Sequence, residues 1–253
     1  TVKEPVTYGN DAIITVDLDA NINATVKLIL DGKEYHVGLV NGKGGFNASG
    51  LTSGDHNVKV VFAGDNKYES DDDTKDFTIN NATLVANVTG LNVTVNDYAQ
   101  FVINVTDDFK GNVSIKVGDT VLYNGTVKSL INATVKLPAG EKTAIVTFYG
   151  DSNYNKLTMD DIEFTVSKVA PTIESSIDDT TYPRDVIAVI TVGNNANGIV
   201  NITVKGTKFV KTFNETVSNG VANVHLDGLA AGYYDALIEF FSSDDYNGNA
   251  NLN

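Results

Sequence analysis

Apolar residues recur at every second position in short runs along the chain. Ala12, Ile14, Val16 and Leu18 form one such run. Ala99, Phe101, Ile103 and Val105 form a second, and Val186, Ala188, Ile190 and Val192 a third. The runs are 87 residues apart both times (99 − 12 and 186 − 99). A period of two places one face of a strand in a core and the other in water. The next strand keeps the offset: Val26, Leu28 and Leu30 match Val113, Ile115 and Val117, then Val200, Ile202 and Val204. Each is followed by a pair that predicts a tight hairpin turn, namely Asp31-Gly32, Gly118-Asp119 and Lys205-Gly206. Asn41-Gly42 and Asn219-Gly220 predict further hairpins. No stretch sustains a helical period.

One longer motif recurs three times. The first copy reads Leu51-x-x-Gly54, an alternating run to Phe62, then Gly64-Asp65-x-x-Tyr68. The second has Leu137, Gly140, Phe148, Gly150, Asp151 and Tyr154 in the same places. The third has Leu229, Gly232, Phe240 and Tyr246, with Ser242-Ser243 where the others have Gly-Asp. The leucine and glycine predict a crossover between two sheets, and the alternating run a central strand. Each tyrosine is expected to cap its own core, with sugar stacking as the alternative. A strand ending in Asp76-Phe77-Thr78-Ile79, matched by Glu163-Phe164-Thr165-Val166, closes the first two copies. The third copy has no such match, so its final strand is expected to be missing or incomplete.

About seven strands per copy predict an all-β chain: three tandem immunoglobulin-like β-sandwich domains arranged as an elongated rod. The expected boundaries are 1–80, 81–167 and 168–253. The linkers, Asn80-Asn81-Ala82 and Ser167-Lys168-Val169-Ala170-Pro171, carry no Gly/Ser tract, which favours a semi-rigid arrangement. The chain opens and closes within the pattern, and it reads as a piece of something longer.

Composition narrows the function classes. The net charge is −14. The three segments contribute −6, −3 and −5 (7 − 13, 6 − 9 and 5 − 10 basic minus acidic residues). No basic patch is present to neutralise phosphates, so neither nucleic acid nor an anionic membrane surface is an expected partner. The 253 residues include no cysteine, which removes disulfides and thiol chemistry. His36, His56 and His225 fall in different contexts and make no metal or nucleophile pattern. No catalytic, cofactor or metal residue is expected. Asp107-Asp108 reads as turn chemistry. Asp71-Asp72-Asp73, Asp160-Asp161, Asp178-Asp179 and Asp244-Asp245 read as solvated acidic surface. Calcium held between domains is the alternative for them, and it needs six to eight converging oxygens.

Asn-x-Ser/Thr is the enriched motif. It occurs at Asn23, Asn47, Asn81, Asn87, Asn92, Asn104, Asn112, Asn124, Asn132, Asn201 and Asn214. Random placement of 29 Asn and 38 Ser+Thr would give roughly four (29 × 38/253), against eleven present. These are candidate N-glycosylation sites. Strand alternation also raises the count, because residues two apart share a face. Asn112 with Ser114 and Asn201 with Thr203 are read as water-facing pairs of that kind.

The full order, Tyr8-Gly9, alternating strand, Asp31-Gly32, Asn41-Gly42, Leu-x-x-Gly, Phe-x-Gly-Asp-x-x-Tyr, resembles the tandem bacterial Ig-like repeats of prokaryotic surface proteins. It is especially similar to those of adhesin-like proteins of methanogenic archaea. The resemblance covers nearly all of the chain. It implies an extracellular, cell-surface segment without enzymatic activity that projects a binding region from the cell. The alternative is a direct adhesive module for a carbohydrate or protein on another surface. Partners would then be the neighbouring repeats and a surface glycan or protein. The doubled aromatics Tyr233-Tyr234 and Phe240-Phe241 are where an adhesive patch is expected first.

Overall fold

A computed structural model describes residues 1–18, 21–182, 184–193 and 195–252, with backbone only at 251 and 252. The first sandwich contains β1 (Val6–Thr7), β2 (Ala12–Asp17), β3 (Ala24–Leu30), β4 (Lys33–Leu39), β5 (Lys43–Ala48), β6 (Gly54–Phe62) and β7 (Asp71–Asn80). β2 pairs with β5, and Val2 bridges to Ile14 beside them. The facing sheet runs β1-β7-β6-β3-β4, with β1 parallel to β7.

The second sandwich contains β8 (Ala86–Leu91), β9 (Val93–Thr94), β10 (Gln100–Val105), β11 (Asn112–Val117), β12 (Thr120–Thr126), β13 (Leu130–Asn132), β14 (Gly140–Phe148) and β15 (Leu157–Ser167). Its sheets are β13-β10-β8 and β12-β11-β14-β15-β9. The third contains β16 (Ile173–Ile177), β17 (Val186–Val192), β18 (Gly198–Lys205), β19 (Val210–Val217), β20 (Val221–Leu226), β21 (Asp235–Phe240) and β22 (Asn249–Leu252). Its sheets are β16-β17-β20 and β19-β18-β21-β22. The same strand order returns three times, except that among the described residues the third sandwich has no counterpart of β1 and β9, so the chain is a tandem array of Ig-like sandwiches.

Alternation explains the cores. In β2, Ala12, Ile14 and Val16 are buried while their neighbours are exposed. Phe101 and Ile103 do the same in β10, and Ala188, Ile190 and Val192 in β17. Three separate apolar clusters result, one per sandwich. Each fully buried Ile, Leu or Phe stabilises its sandwich by about 1.5–3 kcal/mol in transfer terms. The crossovers also lie where expected. Leu51 and Leu229 pack on their cores at partial burial, and Leu137 is buried.

Three local expectations change. Lys205-Gly206 is not a two-residue turn: Lys205 pairs with Val210, leaving a loop of four. Gly206 instead lies close under two rings: an added Cβ would stand 2.9 Å from the Phe209 ring and 3.0 Å from the Tyr234 ring, which would have to shift to admit it. Gly54 and Gly140 hold φ near +118° and +120°, but Gly232 is not among the left-handed glycines, so the third crossover takes a different path. Ser114 does not face water. It is 3% exposed, covered on a central strand between cross-strand neighbours Asn124 and Thr147. The last strand of the third sandwich is short, four residues against ten in β7 and eleven in β15, and Asn249 pairs Phe240 as Leu157 pairs Phe148. Pro183, expected to follow Tyr182 at the opening of the third copy, lies outside the described residues.

Candidate functional site: the joints between sandwiches

The motif's two halves sit at opposite ends of one strand. Leu51-x-x-Gly54 precedes β6, and Gly64-Asp65-x-x-Tyr68 follows it. Nine residues at about 3.3 Å each separate them by roughly 30 Å. They meet only between consecutive sandwiches.

The corner that carries the tyrosine is built locally. Gly64 and Gly150 supply φ of +83° and +79°. Asp65 Oδ1 accepts the backbone N–H groups of Lys67 and Tyr68, and Asp151 Oδ1 those of Asn153 and Tyr154. In the third copy the Ser243 hydroxyl accepts the Tyr246 N–H at 3.3 Å, so serine replaces the aspartate's cap.

At the first joint the Ser53 N–H donates to Asn153 Oδ1 at 3.1 Å. Ala82, entering the second sandwich, forms a parallel bridge with Tyr154. Its N–H donates to the Asn153 carbonyl and its carbonyl accepts from the Asn155 N–H, both at 2.9 Å. Tyr8 from the first sandwich packs edge-to-face on Tyr154, with ring centroids 5.4 Å apart. Both hydroxyls donate to Asp108, Tyr8 at 2.6 Å and Tyr154 at 2.7 Å. The hydrogen bond to Asp108, together with burial and the nearby charges of Asp108 and Asp151, pushes the Tyr154 phenol up to about 12. The same carboxylate raises Tyr8. In return the Tyr8 and Tyr154 hydroxyls hold Asp108 below its ordinary range. Asp108 is therefore not turn chemistry alone. It takes a hydroxyl from each side of the joint, which nothing in the local sequence signals.

The second joint repeats the central contact. The Ala139 N–H donates to Asp245 Oδ1 at 2.9 Å. Ala139 and Ser53 each precede the motif glycine, and Asp245 and Asn153 each precede the motif tyrosine. Val169 bridges in parallel to Tyr246, and the Asn247 N–H donates to the Val169 carbonyl at 2.9 Å. Lys168 Nζ reaches the Ser243 carbonyl at 2.5 Å. Tyr246 packs against both the second and third cores. Burial first, then the Asp245 charge, raises its phenol.

The first copy breaks the rule. Lys67 precedes Tyr68, and Tyr68 is 42% exposed, so this tyrosine does not cap a core. The opposite pole of the third sandwich is also open. Tyr182, at the position of Tyr8 (182 − 8 = 2 × 87), is 69% exposed. It lines a cleft of about 290 Å³ with Arg184, Leu229, Ala231 and Tyr233. Tyr233 is fully exposed, Phe241 is half-exposed and Phe240 is buried.

Other expected residues fall as follows. His36 and His225 are exposed. His56 is buried, with Nδ1 2.7 Å from Asp31 Oδ2 and Nε2 2.7 Å from the Thr52 carbonyl. Asp71–Asp73 lie within β7, where Asp72 pairs with Lys59 at 2.7 Å. Among the described residues no group of three or more His, Cys, Asp or Glu is placed to hold a metal ion. Of the candidate glycosylation residues, Asn23, Asn47, Asn87, Asn92, Asn104, Asn112, Asn124, Asn132 and Asn214 are exposed, while Asn81 and Asn201 are half-buried. The Asn201 side-chain oxygen is buried without a hydrogen-bond partner. Among the described residues no helix is long and apolar enough to cross a membrane.

No family model matches the chain. No curated protein matches it either. Among solved structures it is similar to domains A168–A170 of titin, at 10% identity and a TM-score of 0.42, over 99% of this chain and 96% of that one. It is also similar to the FN1–FN3 domains of chicken CNTN1 (9% identity, TM-score 0.28, 100% and 96% covered). A third is the central fibronectin-III array of RIM-binding protein (12%, 0.26, 100% and 95%). The fold assignment rests on the strand order described above.

Proposed function

We propose that the chain is a structural segment of an adhesin-like protein of the methanogen type, on the outer surface of a cell. Its three sandwiches, divided at 80/81 and 167/168, form a stiff stalk that holds a binding region away from that surface. One observation carries this reading: the same backbone-to-side-chain contact, with a parallel bridge beside it, recurs at both joints (Ser53 to Asn153, Ala139 to Asp245). A freely hinged linker has no use for a repeated contact, whereas a stalk does. N-glycans on exposed sequon asparagines would cover its faces. Small-angle scattering tests the stalk directly. An elongated profile with three domains in a narrow range of angles is the expected result, and a compact globule the size of one 253-residue domain refutes it.

A second reading is favoured by the cleft beside Tyr233. Its exposed rings could stack on a sugar, making the third sandwich itself an adhesive module for a carbohydrate. A glycan and whole-cell binding screen on the chain, with Tyr233→Ala beside it, separates the two. Binding that the variant loses supports adhesion, and no binding leaves the stalk.

A further inference from the structure

The open pole of the third sandwich carries one half of the joint just described. Tyr182 stands where Tyr8 stands in the first sandwich. In sequence, Ala231 precedes Gly232 as Ser53 precedes Gly54 and Ala139 precedes Gly140, although Gly232 lacks the positive φ of the other two, so a docked corner has to meet a differently turned crossover. In the two filled joints this residue's N–H is held by the next sandwich. Ala231 is exposed, and among the described residues its N–H has no acceptor. Between these two positions lies the 290 Å³ cleft. Arg184, the chain's one arginine, also lines it.

We propose that this cleft is a socket for the tyrosine corner of a further β-sandwich, one in which Asn or Asp precedes the tyrosine. The corner's Asn or Asp would accept the Ala231 N–H. Its tyrosine would pack on Tyr182, and an aspartate like Asp108 would take the Tyr182 hydroxyl beside the Arg184 guanidinium. The chemistry excludes a second copy of this chain as the occupant. The first sandwich offers Lys67, a donor, where the socket needs an acceptor. Asp178 and Asp179 also line the cleft, and Arg184 is the one cation among its lining residues, so the acidic parts of the corner would have to meet Arg184. A saccharide could stack on Tyr233, but it would not account for Ala231 repeating the position of Ser53 and Ala139 at both filled joints, or for Tyr182 repeating that of Tyr8 at the first.

This inference rests on the stacked-array reading, and one experiment separates their failures. The register supplies the design. Asn249 pairs Phe240, Leu157 pairs Phe148 and Asp71 pairs Phe62, so Leu252 occupies the place of Thr74. Residues 75–167 are therefore joined directly after Leu252 of the full chain. This completes the last strand and adds a fourth sandwich bearing the Asn153-Tyr154 corner and Asp108. Amide hydrogen exchange is read by NMR at Ser53 and Ala231, each of which occurs once in the extended chain. Exchange at Ala231 is expected to slow about tenfold relative to the three-sandwich chain, the scale of one protected hydrogen bond. Tyr182→Ala should reverse most of the gain, with Ser53 unchanged. Equal exchange at Ala231 in both chains, with Ser53 protected, overturns the socket and leaves the array. An unprotected Ser53 in the original chain overturns the array itself. A glycan that binds the three-sandwich chain and is lost in Tyr182→Ala would make the cleft a sugar site and also overturn the socket.

Discussion

Deprotonating His56 will loosen the crossover that forms one side of the first joint. Both ring nitrogens face acceptors at 2.7 Å, the Asp31 carboxylate and the Thr52 carbonyl. Only the doubly protonated ring can donate to both. Burial alone would lower the His56 pKa, but these two hydrogen bonds and the charges of Asp31 and Asp55 outweigh it, leaving it above 6.5. Asp31 shows the mirror balance. Burial would raise it, but the Asn57 N–H and His56 hold it below 3.8. When the ring loses a proton, one contact becomes acceptor against acceptor. A hydrogen bond to a charged group contributes about 1.5–3 kcal/mol. Asp31's side chain is 42% exposed, and solvent screening reduces the effect to about 1 kcal/mol. The histidine's folded pKa is raised, so its contribution is complete below the unfolded value and is lost as pH rises through the folded one. The aspartate's is lowered, so its contribution is present above the unfolded value and is lost as pH falls through the folded one. Together they stabilise the first sandwich most between about pH 4 and 6.5. Going from pH 6 to pH 9 should lower that sandwich's melting temperature by about 4–8 °C. His56→Phe, which keeps a ring against Phe77, should flatten this dependence. Calorimetry at the two pH values, with an NMR titration of the imidazole, checks both parts. A His56 pKa at or below 6.5 would refute the reasoning, as would a pH dependence unchanged in the variant.

Three further outcomes are expected at the joints and on the strand faces. Tyr154 should ionise near 12 and return toward 10.0 in Asp108→Asn, read from its ring carbon by NMR; ionisation at 10.0 in the unaltered chain would contradict the hydroxyl–carboxylate geometry. Asn153→Lys places in the second corner what Lys67 is in the first, and should widen the angle between the first two sandwiches but not the last two. Spin labels on introduced cysteines report this cleanly because the chain has none, and an unchanged distance distribution argues against the contact as the joint's lock. Asn87 faces Asn104, and Asn201 faces Asn214, across neighbouring strands. Side chains about 5 Å apart cannot both carry a glycan, so each pair should show at most one occupied site by glycopeptide mass spectrometry.

The sandwiches were legible because two-fold alternation leaves little freedom. A one-residue slip in β2 would turn Ala12, Ile14 and Val16 out to water and Ile13 and Thr15 in, which the core could not accept. The hairpins at Asp31-Gly32, Asn41-Gly42 and Asn219-Gly220 were legible for a similar reason, since both residues of each pair adopt positive φ. Lys205-Gly206 misleads because its glycine answers to two aromatic rings and not to a turn. Ser114 misleads because alternation does not say how deeply neighbours cover a small side chain. The joints are hardest to read. Asp108 and Tyr8 lie 100 residues apart and meet without any periodic signal. The residue before each motif tyrosine (Lys67, Asn153, Asp245) looks like ordinary loop variation until its partner is known.

That variation is where copies of this kind become distinct. Within one sandwich, Leu51 and Phe62 answer to the core, and so do Leu137 and Phe148, and Leu229 and Phe240, in the other two, so these positions stay alike. The pole residues answer to the adjacent sandwich. A change at Asn153 has to be balanced at Ser53, and one at Asp108 at Tyr8, both in the preceding copy. Because Gly-Asp-x-x-Tyr follows Leu-x-x-Gly on one strand, an alignment of copies sets the two halves side by side as if they acted together. The contacts pair the second half of each copy with the first half of the copy before it. Order along the array is therefore a property of neighbouring copies, and exchanging two sandwiches would leave each fold intact while mismatching the joints.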